Sequence, residues 1–275
     1  MTKTIVLTGA SDGIGAAAAA VLAQRGHRLI LVGRSIDKTG QVAEAVGAET
    51  WFTADYERLE DVRRLAGFVM TVCPRIDVLA NNAGGIFSGP TRTEDGFERT
   101  FQVNHLASFL LTHELMEVLL ASGGTVVNTS SIAARLYGHI DIDDLNDWQG
   151  FSPTKAYGDS KLANILFTRG LQQRYGDQGL SAVAFHPGNI ATNFASDTAT
   201  RFHRVYHSPL KVFLTSAAKG GRNLAHFIDG SPGETWVAGE YYGSNRRIGR
   251  TNPQASDPDL IREHWERSSQ MLGLT

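Results

Sequence analysis

The chain has 275 residues, 42% of them hydrophobic, with 26 Lys and Arg against 28 Asp and Glu for a formal net charge of −2. That is ample apolar material for a core, and interspersed charges of near-equal number leave no basic stripe of the kind that neutralises phosphates, which argues against a nucleic-acid partner. A lone Cys73 rules out an intrachain disulfide or a cysteine metal cluster, and no apolar run reaches the roughly 20 residues of a membrane span.

The N-terminus, MTKTIVLTGAS, runs straight into a strand pattern without the features of a signal peptide, so a soluble, cytoplasmic protein without a metal is expected. Cys73 itself reads as a small buried hydrophobe. In chain order the strand candidates are TIVLTG, RLILVG, TWFTAD, DVLANN, TVVNTS and SAVAFH, with a late one near TWVAGEYY. Helical stretches lie between them at about 14–25, 36–46, 57–72, 94–121 and 153–175. The alternation predicts βαβ units with right-handed crossovers: an α/β fold of Rossmann type, a doubly wound parallel sheet flanked by helices, in a single domain over 1–275. Two segments break the pattern, the acidic Arg135 to Gly150 and the aromatic-rich Asn193 to Leu214, the latter followed by a helical stretch to about Ile228. Both follow strands and could line the crevice beyond their carboxyl ends.

The first strand leads into TGASDGIG, where Gly9, Gly13 and Gly15 open an Ala-rich helix. Backbone without side chains can approach a pyrophosphate closely, and the first helical amides are donors with a favourable dipole. Ser11, Asp12 and Ile14 lie in the same turn. The spacing is Gly-x-x-x-Gly-x-Gly, not the generic dinucleotide fingerprint, and a tight connection alone would also ask for glycine. Arg34 ends the second strand, where an Arg accommodates a 2′-phosphate and an acid would meet a ribose hydroxyl. The cofactor expected is therefore NADP(H), with NAD(H) as the alternative. Arg34 also has the bland reading of a solvated loop charge, and Asp12 could repel a phosphate if it faced one.

In KAYGDSKLANILF, Tyr157 and Lys161 lie four apart and so on one helix face. A neighbouring ammonium favours the phenolate and brings a tyrosine closer to the working pH of a general acid or base. Ser152 and Pro153 supply an N-cap and first-turn pair just ahead of them. Chance places many Tyr–Lys pairs on helices, so other residues must decide. Ser130 and Ser131 end a strand where a hydroxyl could stabilise charge on a substrate oxygen, or merely cap the strand. Asn104 is polar in a largely apolar helix and needs partners if buried, fixing a kink or holding a water.

Together these residues resemble the short-chain dehydrogenase/reductase family: TGASDGIG at 8–15, NNAG at 81–84, Asn104, Ser131, Tyr157 with Lys161, and HPGNIAT at 186–192 occur in the family's order. The resemblance covers nearly the whole chain. It implies Tyr157 as proton donor and acceptor, Lys161 as the residue that lowers its pKa and binds the nicotinamide ribose, Ser131 as the carbonyl partner, and Asn104 as anchor of a proton-relay water. It further implies cofactor contacts at Asn82, Ala83 and Gly84, at Asp55 by the adenine, and at Pro187, Gly188, Ile190 and Thr192 by the carboxamide. His186 is expected to pack at a strand end.

The long Ser131-to-Tyr157 connection, with its HIDIDDLN core, and the SKLANILF and C-terminal GEYYGSNRRIGRTNP stretches are similar to the retinol dehydrogenase-like and protochlorophyllide reductase-like branch. That branch implies hydride transfer between nicotinamide and a carbonyl or alcohol of a hydrophobic small molecule, under a cover formed at about 193–228. Two other readings are a catalytically silent dinucleotide-binding sensor or scaffold, which would be marked by loss of Ser, Tyr or Lys, and a sugar-nucleotide epimerase or dehydratase, which would need a larger C-terminal domain. A homo-oligomer could form by pairing the helices at 94–121 and 153–175 across a two-fold.

Overall fold

The computed structural model describes residues 2–188 and 216–274. Its strands are β1 (Thr4–Thr8), β2 (Arg28–Gly33), β3 (Thr50–Thr53), β4 (Val78–Asn81), β5 (Thr125–Thr129), β6 (Ser181–Phe185) and β7 (Tyr241–Tyr242). They form one sheet in the order β3-β2-β1-β4-β5-β6-β7, every neighbouring pair parallel. Both faces are buried, which is why the strands read as near-continuous apolar runs. Alternate residues of β1 serve different layers. Ile5 and Leu7 pack with Ala18, Ala19 and Leu22 of α1 (Gly13–Gln24) and with Leu224 and Phe227, while Val6 packs with the layer that holds Leu65, Leu110 and Leu166.

The strand order reverses at β1, which pairs with β2 on one side and β4 on the other. A crevice opens at such a switch point, outside the carboxyl ends of the strands. Helix α2 (Ile36–Val46), capped by the Ser35 hydroxyl, matches its expected span, and α3 (Leu59–Val72) starts two residues late and ends where expected. The stretch expected as one helix over 94–121 is instead α4 (Arg99–Phe101), a π-helical turn (Gln102–Leu106), α5 (Ala107–Glu114) and α6 (Met116–Ser122). Glu98 sets the start by accepting from Phe101 N at 3.0 Å, and upstream the chain is held in a turn by Gly96 N to Thr93 O at 3.0 Å. Every residue from Thr100 to Thr112 is buried.

After α7 (Ala133–Leu136), helix α8 (Pro153–Tyr175) begins as expected, with the Ser152 hydroxyl accepting from Lys155 N at 3.1 Å and Pro153 in the first turn. The irregular segment between them is braced from both sides. Asn252 Nδ2 donates to Gly138 O at 2.6 Å, Gln254 exchanges bonds of 2.9 Å with both Ile140 N and Ile140 O, and Asp159 on α8 accepts from His139 N at 2.6 Å. Lys155 pairs with both Asp147 and Asp159. Helix α9 (Ala217–Asp229) lies on α1, where Gly221 permits close approach: a Cβ there would sit 2.5 Å from Ala17 Cβ. Helix α10 (Pro258–Met271) brings Trp265 to 4.8 Å from the Phe109 ring and 5.7 Å from Phe167. The segment Asn193 to Leu214, read as part of a substrate cover, lies outside the described residues. Among the described residues no helix is long and apolar enough to cross a membrane, and no cluster of His, Cys, Asp and Glu could hold a metal.

Candidate active site

The glycine turn after β1 does what its composition suggests. Gly9 and Gly13 have φ of 64° and 57°, values that favour glycine, and a Cβ on Gly15 would lie 2.0 Å from Gly9 O. Asp12 caps α1, its Oδ1 accepting from Gly13 N at 2.7 Å, and its Oδ2 takes Lys38 Nζ at 3.0 Å. The hydrogen bond from Lys38 holds the Asp12 carboxyl below its ordinary range. Its charge is thus matched by a cation on α2, a pairing 26 residues apart in sequence.

Thr8 fastens this turn to the end of β4. Its hydroxyl donates to Ala80 O at 3.1 Å and accepts from Asn82 N and Ala83 N at 3.0 Å each, while Asn82 Nδ2 returns to Thr8 O at 3.0 Å. The result is a cleft of about 450 Å³. Gly9, Ser11, Asp12, Gly13, Ile14, Gly15, Arg34, Asp55, Asn82, Ala83 and Gly84 all line it, as do Ser35, Lys38, Tyr56 and Phe87. A groove floored by glycines that admit no Cβ fits a dinucleotide, with the α1 N-terminus, where Asp12 takes the Gly13 amide, beside its pyrophosphate. Arg34 is exposed, with Glu57 at 3.9 Å, and Lys38 stands beside it on the same rim.

Tyr157 and Lys161 share one face of α8 and are both buried, at 8% and 2% exposure. Lys161 Nζ lies 5.7 Å from the centre of the Tyr157 ring and donates to Thr129 O at 3.4 Å. Among the described residues no carboxylate pairs with it, and burial draws its pKa down to about 7. The two serines after β5 separate cleanly. Ser130 is buried and donates to Lys161 O at 2.7 Å, fixing α8 to the sheet, whereas Ser131 is half-buried and accepts from Ala133 N at 3.1 Å. Ala133 packs with Tyr157 and with Ile86, itself on the cleft wall.

Asn104 sits in the π-helical turn, fully buried. Its Oδ1 accepts from Gly85 N at 2.7 Å, and its Nδ2 donates to Gly85 O at 2.9 Å and to Ser160 Oγ at 3.0 Å. It therefore clamps the NNAG loop to α8. Gly84 sits between the groups: a Cβ there would be 2.7 Å from Asn104 Oδ1 and 3.1 Å from Lys161 Nζ. His186 is buried after β6, where desolvation takes its pKa to about 4, and its Nδ1 accepts from Gly188 N at 3.4 Å. Pro187 O accepts from Asn223 Nδ2 at 3.3 Å, and Gly188 has φ of 114°. Ile190 and Thr192 lie outside the described residues.

Sequence reasoning passed over Lys38, Ser160 and Asn164. Lys38 lies four residues after Arg34 but on α2, which starts after Arg34, so its spacing gave no signal; Asn164 falls three after Lys161 on the same helix face, and that spacing was one.

A family profile described as short chain dehydrogenase matches residues 3–201. A Streptomyces sp. (strain C5) protein named as a putative daunorubicin C-13 ketoreductase is 40% identical, over 99% of this chain and 93% of its own. Human retinol dehydrogenase 13 is 34% identical, over 99% of this chain and 85% of its own. Among solved structures, one from Mycobacterium paratuberculosis superposes with a TM-score of 0.80 at 31% identity, covering 98% of this chain and 93% of that one. A Shigella flexneri 2a strain 301 protein in complex with NADP gives a TM-score of 0.67 at 27% identity, covering 88% and 97%. With a glycine cradle at the switch point, a buried Tyr–Lys pair beside it, and these relatives along its whole length, the chain belongs to the short-chain dehydrogenase/reductase family of oxidoreductases, in its retinol dehydrogenase-like branch.

Proposed function

We propose that the protein is an NADP(H)-dependent oxidoreductase that interconverts a carbonyl and an alcohol on a hydrophobic small molecule, with Tyr157 as general acid and base. The observation that carries this reading is Lys161, an ammonium buried next to a buried tyrosine and, among the described residues, without a carboxylate partner. Such a group is costly in a purely structural role and is a mark of a functional site. When bound, the nicotinamide supplies or accepts the hydride. The chain's own residues handle the oxygen. Tyr157 gives a proton to the carbonyl oxygen in reduction and takes it back in oxidation, Ser131 donates a hydrogen bond to that oxygen, and Lys161 favours the phenolate by its charge.

Asn104 is read as the anchor of a relay water through its main-chain carbonyl, since both ends of its side chain are engaged. Arg34 and Lys38, together on the cleft rim, favour a 2′-phosphate and hence NADP(H). Asp55 would face the adenine and Asn82 to Gly84 the riboses, with Pro187, Gly188, Ile190 and Thr192 at the carboxamide. Substrate hydrophobicity is supported by the similarity to a protein named as a daunorubicin C-13 ketoreductase and to retinol dehydrogenases. The test is Tyr157→Phe assayed by NADPH consumption against a panel of ketones, aldehydes, quinones and polycyclic carbonyls. Cofactor affinity should persist while turnover falls by about three orders of magnitude, in the range of a lost acid–base group; near-normal turnover would remove the mechanism.

A further inference from the structure

Next to Lys161 lies a second polar system buried among aromatic rings. Asn164, one turn further along α8, is 4% exposed. Its Nδ2 donates to two main-chain oxygens, Asn104 O at 3.1 Å and Thr129 O at 3.2 Å. Thr129 O is also the acceptor of the Lys161 ammonium. On its other side Asn164 Oδ1 meets His105 Nδ1 at 3.2 Å, and His105 Nε2 meets Ser268 Oγ on α10 at 3.2 Å. The protein thus contains an unbroken run of contacts from the C-terminal helix to the oxygen that holds Lys161.

The chemistry assigns every proton in that run. Two carbonyl oxygens can only accept, so the Asn164 nitrogen must face them and its oxygen must face His105. His105 therefore carries its proton on Nδ1 and accepts at Nε2 from the Ser268 hydroxyl. Full burial favours this neutral imidazole, drawing its pKa to about 4. Reversing the amide would set Asn164 Oδ1 against two carbonyls, so those oxygens turn the amide and the Nδ1 proton of His105 locks that orientation. A fully buried amide with every atom satisfied is rigid, and a group built on it is held to a narrow geometry.

We propose that Asn164, oriented by His105, is a positioning residue for Lys161. It holds the Thr129 oxygen in place to receive the ammonium and donates to the Asn104 carbonyl read as the anchor of the relay water. This rests on the reading of Tyr157 and Lys161 as the reacting pair.

The test compares Asn164→Leu, His105→Phe and His105→Asn with the carbonyl compound turned over fastest by the unaltered enzyme. His105→Phe keeps a ring against Phe101, Phe109 and Phe167 but loses the donor, while His105→Asn keeps a donor at the Nδ1 position and loses the ring. At saturating NADPH, kcat should fall about 10- to 100-fold in Asn164→Leu and His105→Phe with KM little changed, the scale of a small misplacement of a reacting group. His105→Asn should stay within about threefold of the unaltered enzyme, because the bond to Asn164 survives. A packing role alone ranks the two His105 variants the other way, and that ranking, or wild-type kcat in Asn164→Leu, overturns the inference. If the His105 variants fail to fold, Ser268→Ala, which removes only the hydroxyl bond to Nε2, decides: reduced kcat at unchanged KM supports the proposal and unchanged kcat rejects it. Tyr157→Phe is run alongside. Full turnover in that variant would remove the mechanism beneath the proposal, whereas an inactive Tyr157→Phe beside fully active Asn164→Leu and His105→Phe would remove the proposal alone.

Discussion

Replacing Lys161 with Met should leave a protein that is more stable at neutral pH. Among the described residues the buried Lys161 ammonium donates to one carbonyl, and desolvation lowers its pKa from 10.5 to about 7. A base whose folded pKa lies below its unfolded value binds more protons when unfolded across the interval, so stability rises with pH between about 7 and 10.5. Below that interval the full cost of burying the charge is felt. At about 1.4 kcal/mol per pKa unit, the cost near pH 7 is on the order of 4 kcal/mol. Methionine has similar length and no charge, and Asn164 still satisfies Thr129 O. Cofactor-free Lys161→Met should therefore resist urea better than the unaltered protein at pH 7, by up to about 4 kcal/mol, and the advantage should shrink to less than half of that by pH 9.5. Tryptophan fluorescence during urea titration at the two pH values measures both differences. A Met variant that is less stable at pH 7, or whose advantage does not change with pH, would refute the account of Lys161 as a strained, desolvated cation. Turnover and NADPH affinity should both fall in the same variant.

Gly84→Ala places a methyl 2.7 Å from Asn104 Oδ1 and should cost about 1–3 kcal/mol of stability and at least tenfold in kcat, seen by melting and by NADPH oxidation. Alanine at both Arg34 and Lys38 should weaken NADPH binding by about 10- to 100-fold and leave NADH nearly unaffected, in line with charge-assisted bonds; equal losses in fluorescence titrations would show that the rim does not read the 2′-phosphate. Acid should destabilise the fold from pH 6.5 down to about 4, because His105 and His186 titrate near 4 and His264 well below its ordinary value when folded. The unfolded chain then takes up the extra protons, at a cost on the order of 3 kcal/mol for His105 alone, and Asp159, whose pKa burial raises to about 7, offsets part of it in the opposite sense. Urea midpoints at pH 4.5 and 7 test the slope, which should be shallower in His105→Asn.

Much of the sheet was legible because buried parallel strands are apolar end to end: RLILVG at 28–33 is β2 without a residue's error. The α8 start was legible because Ser152 and Pro153 act locally. The broken helix at 99–122 was not. Its π-helical turn accompanies side-chain bonds that Asn104 makes to Gly85 and Ser160, respectively 19 and 56 residues away, and no local propensity reports such partners. The same limit hid Lys38. Its role depends on Asp12 having turned outward as a helix cap, a choice between two orientations that the glycine motif leaves open. Ser130 and Ser131 were distinguished in sequence only by resemblance; the physical distinction is that Ser130 donates its hydroxyl to α8.

Helix α10 has a consequence for assembly. Phe109 and Phe167 belong to the two long helical regions that could have met a second copy face to face, and within one chain Trp265 already covers both rings. The C-terminal helix thus covers, in the same molecule, an aromatic surface that both regions share. Two copies could associate through that surface only by exchanging these helices, each tail crossing to the neighbour, or after the tail is removed. Cutting the chain before Pro258 would uncover the aromatic face and the His105 ring together, turning an interior into an adhesive surface.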